Sequence, residues 1–136
     1  MQKYVRIVVL SVFLITTLTG CSGNSFGANG YRTLDFTLVD YKNIPQKLME
    51  QMETKMEEGF QLTYKEDEYL YIAKGYGEQE TSGYSVAVTN LTTENEVVYF
   101  ESKLLEPQEN ENVNHNSSFP YVVIKTELIE FPVIFK

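Results

Sequence analysis

Phe60-Gln61-Leu62-Thr63-Tyr64-Lys65-Glu66-Asp67-Glu68-Tyr69-Leu70-Tyr71-Ile72-Ala73-Lys74 decides the fold. Phe60, Leu62 and Tyr64 alternate with polar residues, the two-residue period of a half-buried strand. Tyr69-Leu70-Tyr71-Ile72-Ala73-Lys74 is a second run of aromatic and aliphatic residues. The polar cluster Lys65-Glu66-Asp67-Glu68 between them reads as the turn of a hairpin. The same signals continue to the C-terminus. Tyr84-Ser85-Val86-Ala87-Val88-Thr89 alternates, and Thr92-Thr93-Glu94-Asn95 reads as a turn into Val97-Val98-Tyr99-Phe100-Glu101-Ser102-Lys103-Leu104. Tyr121-Val122-Val123-Ile124-Lys125-Thr126 is β-branched and apolar, as a central strand should be. Phe131-Pro132-Val133-Ile134-Phe135 contains a proline and belongs at an edge.

Upstream the period changes. Ile44, Leu48, Met52 and Met56 recur every four residues, with Met49 alongside, and form one apolar stripe of a helix. Asn43 is placed to cap it, Pro45 fits its first turn and Gly59 its C-terminal stop. Ahead of the helix, Leu34-Asp35-Phe36-Thr37-Leu38-Val39-Asp40-Tyr41 alternates as one further strand. These elements predict a mainly β, α+β domain. It is expected to be an antiparallel β-sandwich-like or curled sheet of about six to seven strands, with one amphipathic helix packed on it.

The first residues set the location. Met1-Gln2-Lys3-Tyr4-Val5-Arg6 carries two positive charges, and an apolar run follows from Ile7 to Leu18. That run is short of the roughly 20 residues a bilayer span needs; it has the length and flanks of a signal-peptide core. Leu18-Thr19-Gly20-Cys21 resembles the lipobox of bacterial lipoproteins. The resemblance implies diacylglyceryl transfer to the Cys21 sulfur, cleavage after Gly20, and acyl chains such as palmitate holding the protein in a membrane. Two chains hold firmly where one is marginal. Residues 1–20 are therefore expected to be a signal peptide and 21–33 the lipidated cysteine and a flexible Gly/Asn/Ser tether. Residues 34–136 form the single domain. The expected location is the cell membrane of a bacterial envelope, lipid-anchored on the extracytoplasmic side. Cys21 is the only cysteine, so no disulfide is available to the fold.

Charge and composition exclude whole classes. The chain carries a net charge of −8, and it becomes more acidic when Lys3 and Arg6 leave with the leader. Nucleic-acid binding needs a basic footprint, which is absent. One histidine cannot make the paired-histidine helix of a metalloprotease. Glu106, Glu109 and Glu111 lack the spacing and central glycine of a Ca²⁺ loop. Gly75-Tyr76-Gly77 opens like a phosphate loop, but no third glycine and no lysine follow in place. A Ser117–His115 pair is the one conceivable nucleophile and base, and it sits in the long polar loop 106–118. No cofactor, no metal and no enzymatic activity are expected.

Two segments stand out by shape. In Gly77-Glu78-Gln79-Glu80-Thr81-Ser82-Gly83-Tyr84-Ser85-Val86-Ala87-Val88, glycines bracket a loop that enters a strand; in Phe119-Pro120-Tyr121 a proline fixes the entry of another. The first resembles the signature G-x-x-x-T-G-G-Y-x-V-x-V of the C-terminal domain of the protease-complex subunit PrcB family. Phe119-Pro120-Tyr121-Val122-Val123-Ile124-Lys125 resembles the family's later Y-P-Y-x-V-x-x segment. Lys103-Leu104-Leu105-Glu106-Pro107 sits where the family runs from a strand into a Pro-rich loop. The resemblance covers about residues 60–135. Ser82 stands in place of the first glycine of the pair, Glu80 where proline is common, and Gln108-Glu109 in place of Pro-Gly.

The resemblance implies a non-catalytic accessory module that associates with, and stabilises, a surface or secreted protease complex. Thr81, Ser82, Gly83, Tyr84, Pro120 and Tyr121 are the candidate contacts, since loops on a rigid sheet suit binding. Two other readings stay open. Glu80-Thr81-Ser82-Gly83-Tyr84 loosely resembles the N-P-T-T-G-Y loop of chagasin-type cysteine-protease inhibitors, without its Asn-Pro. The 10 Tyr and 8 Phe residues could also line a small-ligand pocket, although most are expected in the core or in cross-strand pairs.

Overall fold

The computed structural model describes residues 30–109 and 112–136. The expected signal peptide, the Cys21 lipid site and most of the tether lie outside the described residues, as does Glu111.

Among the described residues, eight strands form two four-stranded sheets. They are β1 (Arg32–Thr33), β2 (Thr37–Leu38), β3 (Phe60–Glu66), β4 (Tyr69–Gly75), β5 (Ser85–Glu94), β6 (Val97–Leu105), β7 (Tyr121–Glu127) and β8 (Val133–Phe135). One sheet has the order β1-β5-β6-β8 and the other β2-β7-β4-β3. The helix α1 (Gln46–Glu53) follows β2, after a 3-10 turn at Tyr41–Asn43. The mainly β, α+β fold with one packed helix is thus observed. All ladders are antiparallel except β6 with β8, which is parallel.

The inner faces of the two sheets enclose the main core. Leu70 and Ile72 of β4 and Val122 and Ile124 of β7 meet Leu91, Val98 and Phe100 of the opposing sheet, with Leu34 and Ile129 at its margins. The Phe100 and Phe135 rings pack edge to face with centroids 5.5 Å apart. On its outer face the β4–β7 pair presents Tyr71, Ala73 and Val123 to α1, whose Leu48 and Met52 are fully buried there beside Ile44 and Phe60. β4 and β7 are therefore covered on both faces, which is why their sequences read as continuous apolar runs. Each large aliphatic side chain so buried contributes about 1.5–3 kcal/mol.

Several local expectations are corrected. The single strand at 34–41 is split: residues 32–33 pair with β5 and 37–38 with β7. The chain switches sheets at 34–36, held by Leu34 N–H donating to the Leu91 carbonyl at 2.9 Å and by Thr126 Oγ1 donating to the Asp35 carbonyl at 2.7 Å. The switch breaks the alternation: Leu34 is buried, whereas Leu38 is 63% exposed. Arg32 and Thr33, read as tether, are already sheet, and Arg32 forms an ion pair with Glu127. Asn43 does not cap α1; Pro45 occupies that position and offers no side-chain acceptor. Gly59 is not the stop of α1 either: the helix ends at Glu53 with Thr54 as its C-cap, and Gly59, at φ +87°, closes the turns that follow.

Thr92, Thr93 and Glu94 are not turn but strand. The reversal is Asn95-Glu96, both at positive φ (51° and 61°), the backbone of a tight hairpin turn. In the first hairpin the reversal narrows to Asp67-Glu68, with Asp67 at φ 52°. β8 lies at an edge as expected, because Pro132 sits just ahead of it and lends only its carbonyl, to Val98 N–H at 2.9 Å.

Candidate partner-binding site

The two motif segments, far apart in sequence, are neighbours in space. Between β4 and β5, residues 76–84 run beside residues 114–120, which lead into β7. Tyr76 N–H donates to the Pro120 carbonyl at 3.0 Å, continuing the β4–β7 ladder by one step. Gln79 and Ser118 exchange both backbone hydrogen bonds, at 2.8 and 3.0 Å. Ser118 Oγ donates to the Thr81 carbonyl at 2.6 Å. Ser82 N–H donates to the Asn114 carbonyl at 3.0 Å, and Asn114 N–H returns a bond to Ser82 Oγ at 2.9 Å. The second of these bonds needs a hydroxyl, and this chain has Ser82 where the family signature has glycine.

Glycines set the depth of this loop. Gly77 has φ +77°, and a Cβ there would lie 2.9 Å from the Glu57 carbonyl oxygen. That oxygen accepts the Glu78 N–H at 3.0 Å, so the loop is laced to the turn after α1. A Cβ on Gly75 would lie 2.5 Å from the Phe60 ring, and one on Gly59 would lie 2.9 Å from the Gly75 carbonyl oxygen. Gly59 and Gly77 thus let backbones touch, and Gly75 makes room for the Phe60 ring. The amides of Tyr76, Glu78 and Gln79 are all used inside the protein, so this stretch presents no cradle for phosphate. Tyr76 reaches across to the other sheet, where its hydroxyl lies 2.9 Å from Ser102 Oγ.

The six candidate contacts therefore divide. Thr81 and Ser82 are half-buried and bonded to the neighbouring loop, and their first task is to hold it. Gly83, at φ +92°, is exposed at the tip, with Tyr84 half-buried beside it. Pro120 is buried. Tyr121 faces the helix side, its ring 6.5 Å from that of Phe60, and burial, with Tyr41 nearby, holds its phenol above the ordinary tyrosine value. His115 and Ser117 are both exposed, and no hydrogen bond joins them among the described residues.

Beside this cluster lies a feature that no motif announced. A shallow groove of about 320 Å³ runs between Leu38 and Val39, the start of β5 at Ser85 and Val86, and residues Pro120 to Val123. The sequence offered one signal for it: an apolar Leu38 in an alternating stretch, whose exposure depends on the sheet switch two residues earlier.

Residues 70–127 match the family described as PrcB C-terminal. The resemblance carried by the two motifs is thereby shown. The PrcB C-terminal match begins in β4 and ends with β7, so it takes in both motif segments and the central strands of both sheets. It is narrower than residues 60–135, leaving out β3 and β8. No curated protein and no solved structure matches the chain.

Proposed function

We propose that this chain is a lipid-anchored, extracytoplasmic, non-catalytic subunit that associates with a surface or secreted protease complex and stabilises it. The observation that carries the reading is the PrcB C-terminal match, whose residues include the whole laced loop cluster. Family membership supports a protease-complex-related subunit. The finer statements, anchoring and lack of catalysis, rest on the Leu18-Thr19-Gly20-Cys21 motif and on the poverty of catalytic groups. A rigid loop tip at Gly83 and Tyr84, set on a doubly covered sheet, suits docking to another protein.

A photo-crosslinker at Gly83 or Tyr84, installed in cells that make the intact protein, tests the partner. Capture of a protease subunit, with loss of that protease when the gene is deleted, is the expected result. Unchanged envelope proteolysis after deletion would sink the reading. Anchoring is tested separately: Cys21→Ala should abolish fatty-acid labelling and release the protein from membranes.

A further inference from the structure

We propose that the open edge of β5 at Val86 and Val88 takes up an extended, basic segment of a partner protein as an added antiparallel strand. The identity of that partner as a protease-complex component rests on the function proposed above; the docking mode does not.

The edge is defined by hydrogen-bond alternation. In β6, Val98 N–H donates to Pro132 and the Phe100 carbonyl accepts from Lys136 N–H, so these residues turn their backbone groups toward β8. Antiparallel strands alternate sides residue by residue. The β6 residues facing β5 are therefore the odd ones, including Lys103 and Leu105, which pair with Ala87 and Ser85. Val86 and Val88 must then point their N–H and C=O groups the other way. On that side β1 reaches only Thr92 and Thr93, and the Leu34 amide reaches Leu91. Among the described residues nothing pairs with the four backbone groups of Val86 and Val88.

The protein's own chain shows how that side is filled further along. Residues 32–39 run antiparallel first to β5 and then to β7, and their last bond is Val39 N–H to the Val123 carbonyl at 2.9 Å. There the chain turns away into the 3-10 turn and α1, and the groove begins. Its lining, Leu38, Val39, Val86, Pro120, Tyr121 and Val122, is apolar and receives alternate side chains of a strand laid along β5. Leu38, 63% exposed, is left for such a strand to cover.

The edge is also poorly guarded. Ser85-Val86-Ala87-Val88-Thr89-Asn90 contains no lysine, no proline and no charge, the usual protections of an open edge. Only the register shift between Val88 and Asn90 interrupts it. A net charge of −8 favours an incoming segment that carries lysine or arginine over a second copy of this acidic chain.

The test uses the intact protein and the peptide acetyl-Lys-Val-Lys-Val-Lys-Val-amide. Its N-methylated-valine counterpart has the same charge and cannot pair as a strand. The expected result is that the first peptide, not the second, slows amide exchange at Val86 and Val88 by about tenfold or more. Val86→Pro removes an outward donor without breaking a β6 bond, and should weaken binding at least about tenfold. If that variant does not fold, Leu38→Lys should weaken it comparably by charging the groove.

Equal binding of the two peptides, or binding that spares those amides, overturns the proposal. So does no binding by either peptide. Protection already present in the free chain and lost on deleting residues 22–29 would make the tether the occupant, and protection that grows with protein concentration would make it a second copy; both overturn it as well. A deletion strain fully rescued by Val86→Pro would defeat the edge and leave the accessory function standing. Specific peptide binding with unchanged envelope proteolysis on deletion would do the reverse.

Discussion

Replacing Gly77 by alanine puts a methyl group where the backbone has no room and the dihedral is unfavourable. At φ +77° an L-residue other than glycine costs about 1–2 kcal/mol. The new Cβ would also lie 2.9 Å from the Glu57 carbonyl oxygen, a backbone atom that cannot swing aside. Moving it stretches the 3.0 Å bond from Glu78 N–H, worth about 1 kcal/mol. The sum is about 2–3 kcal/mol, and at about 4–8 °C per kcal/mol for a domain of this size Tm should fall by about 10–20 °C.

Gly30→Ala is the control. Its φ is +68° and a Cβ there meets nothing within 4 Å, so it carries the dihedral cost alone. Gly77→Asn separates the terms from the other side, since asparagine tolerates the left-handed region but keeps the Cβ. Thermal unfolding followed by circular dichroism measures all three. If Gly77→Ala melts no lower than Gly30→Ala, the contact with Glu57 is not what fixes the loop.

Four further outcomes follow from the packing and the site. Phe100→Ala, at 1% exposure in the main core, should cost about 3–5 kcal/mol in denaturant titration. Phe135→Leu should lose about 0.5–1.5 kcal/mol, the edge-to-face contribution. Ser82→Ala removes the acceptor for Asn114 N–H; amide exchange at Asn114 should speed up while the global Tm moves by only a few degrees. Burial, with Glu66 next in effect, raises the Tyr71 phenol above 10.0, and burial likewise raises Tyr121. A folded-state value above the unfolded one means stability is intact below pH 10 and lost as pH climbs beyond it. Denaturant titrations at neutral and strongly alkaline pH should therefore show a fall that Tyr71→Phe and Tyr121→Phe each reduce.

Strand identity was legible wherever a strand is long and its burial regular. β3, β4, β6 and β7 stand within about two residues of where alternation and β-branching put them. The helix stripe was equally plain, because Leu48 and Met52 needed a four-residue period to share one buried face. What was illegible depended on distant partners. Nothing local in Leu34 to Tyr41 says that the chain changes sheets at 34–36, since both halves alternate alike. Thr92 and Thr93 look like turn residues, yet the hairpin extends through them because Thr92 and Thr93 are buried between β1 and β6. The parallel pairing of β8 has no sequence signature at all. For the site, the two motif segments that the sequence singled out are brought side by side by the fold. The internal hydrogen bonding of Thr81 and Ser82, and the groove beside Leu38, emerge only once residues 114–118 and the sheet switch are placed.

The sheet switch has a mechanical corollary. Any tension transmitted along the chain ahead of Gly30 arrives first at the two residues of β1, which are held by β5. Load would peel Arg32, Thr33 and Leu34 from Thr93, Thr92 and Leu91 one rung at a time, while β2 still clamps the segment to β7. The rung at Thr93 is bared first, and the open margin at Val88 lengthens only when the last rung, Leu34 to Leu91, lets go. A chain pulled from the side of Gly30 would then bare the whole length of the β5 edge in one step, where a chain at rest bares only its Val86 end.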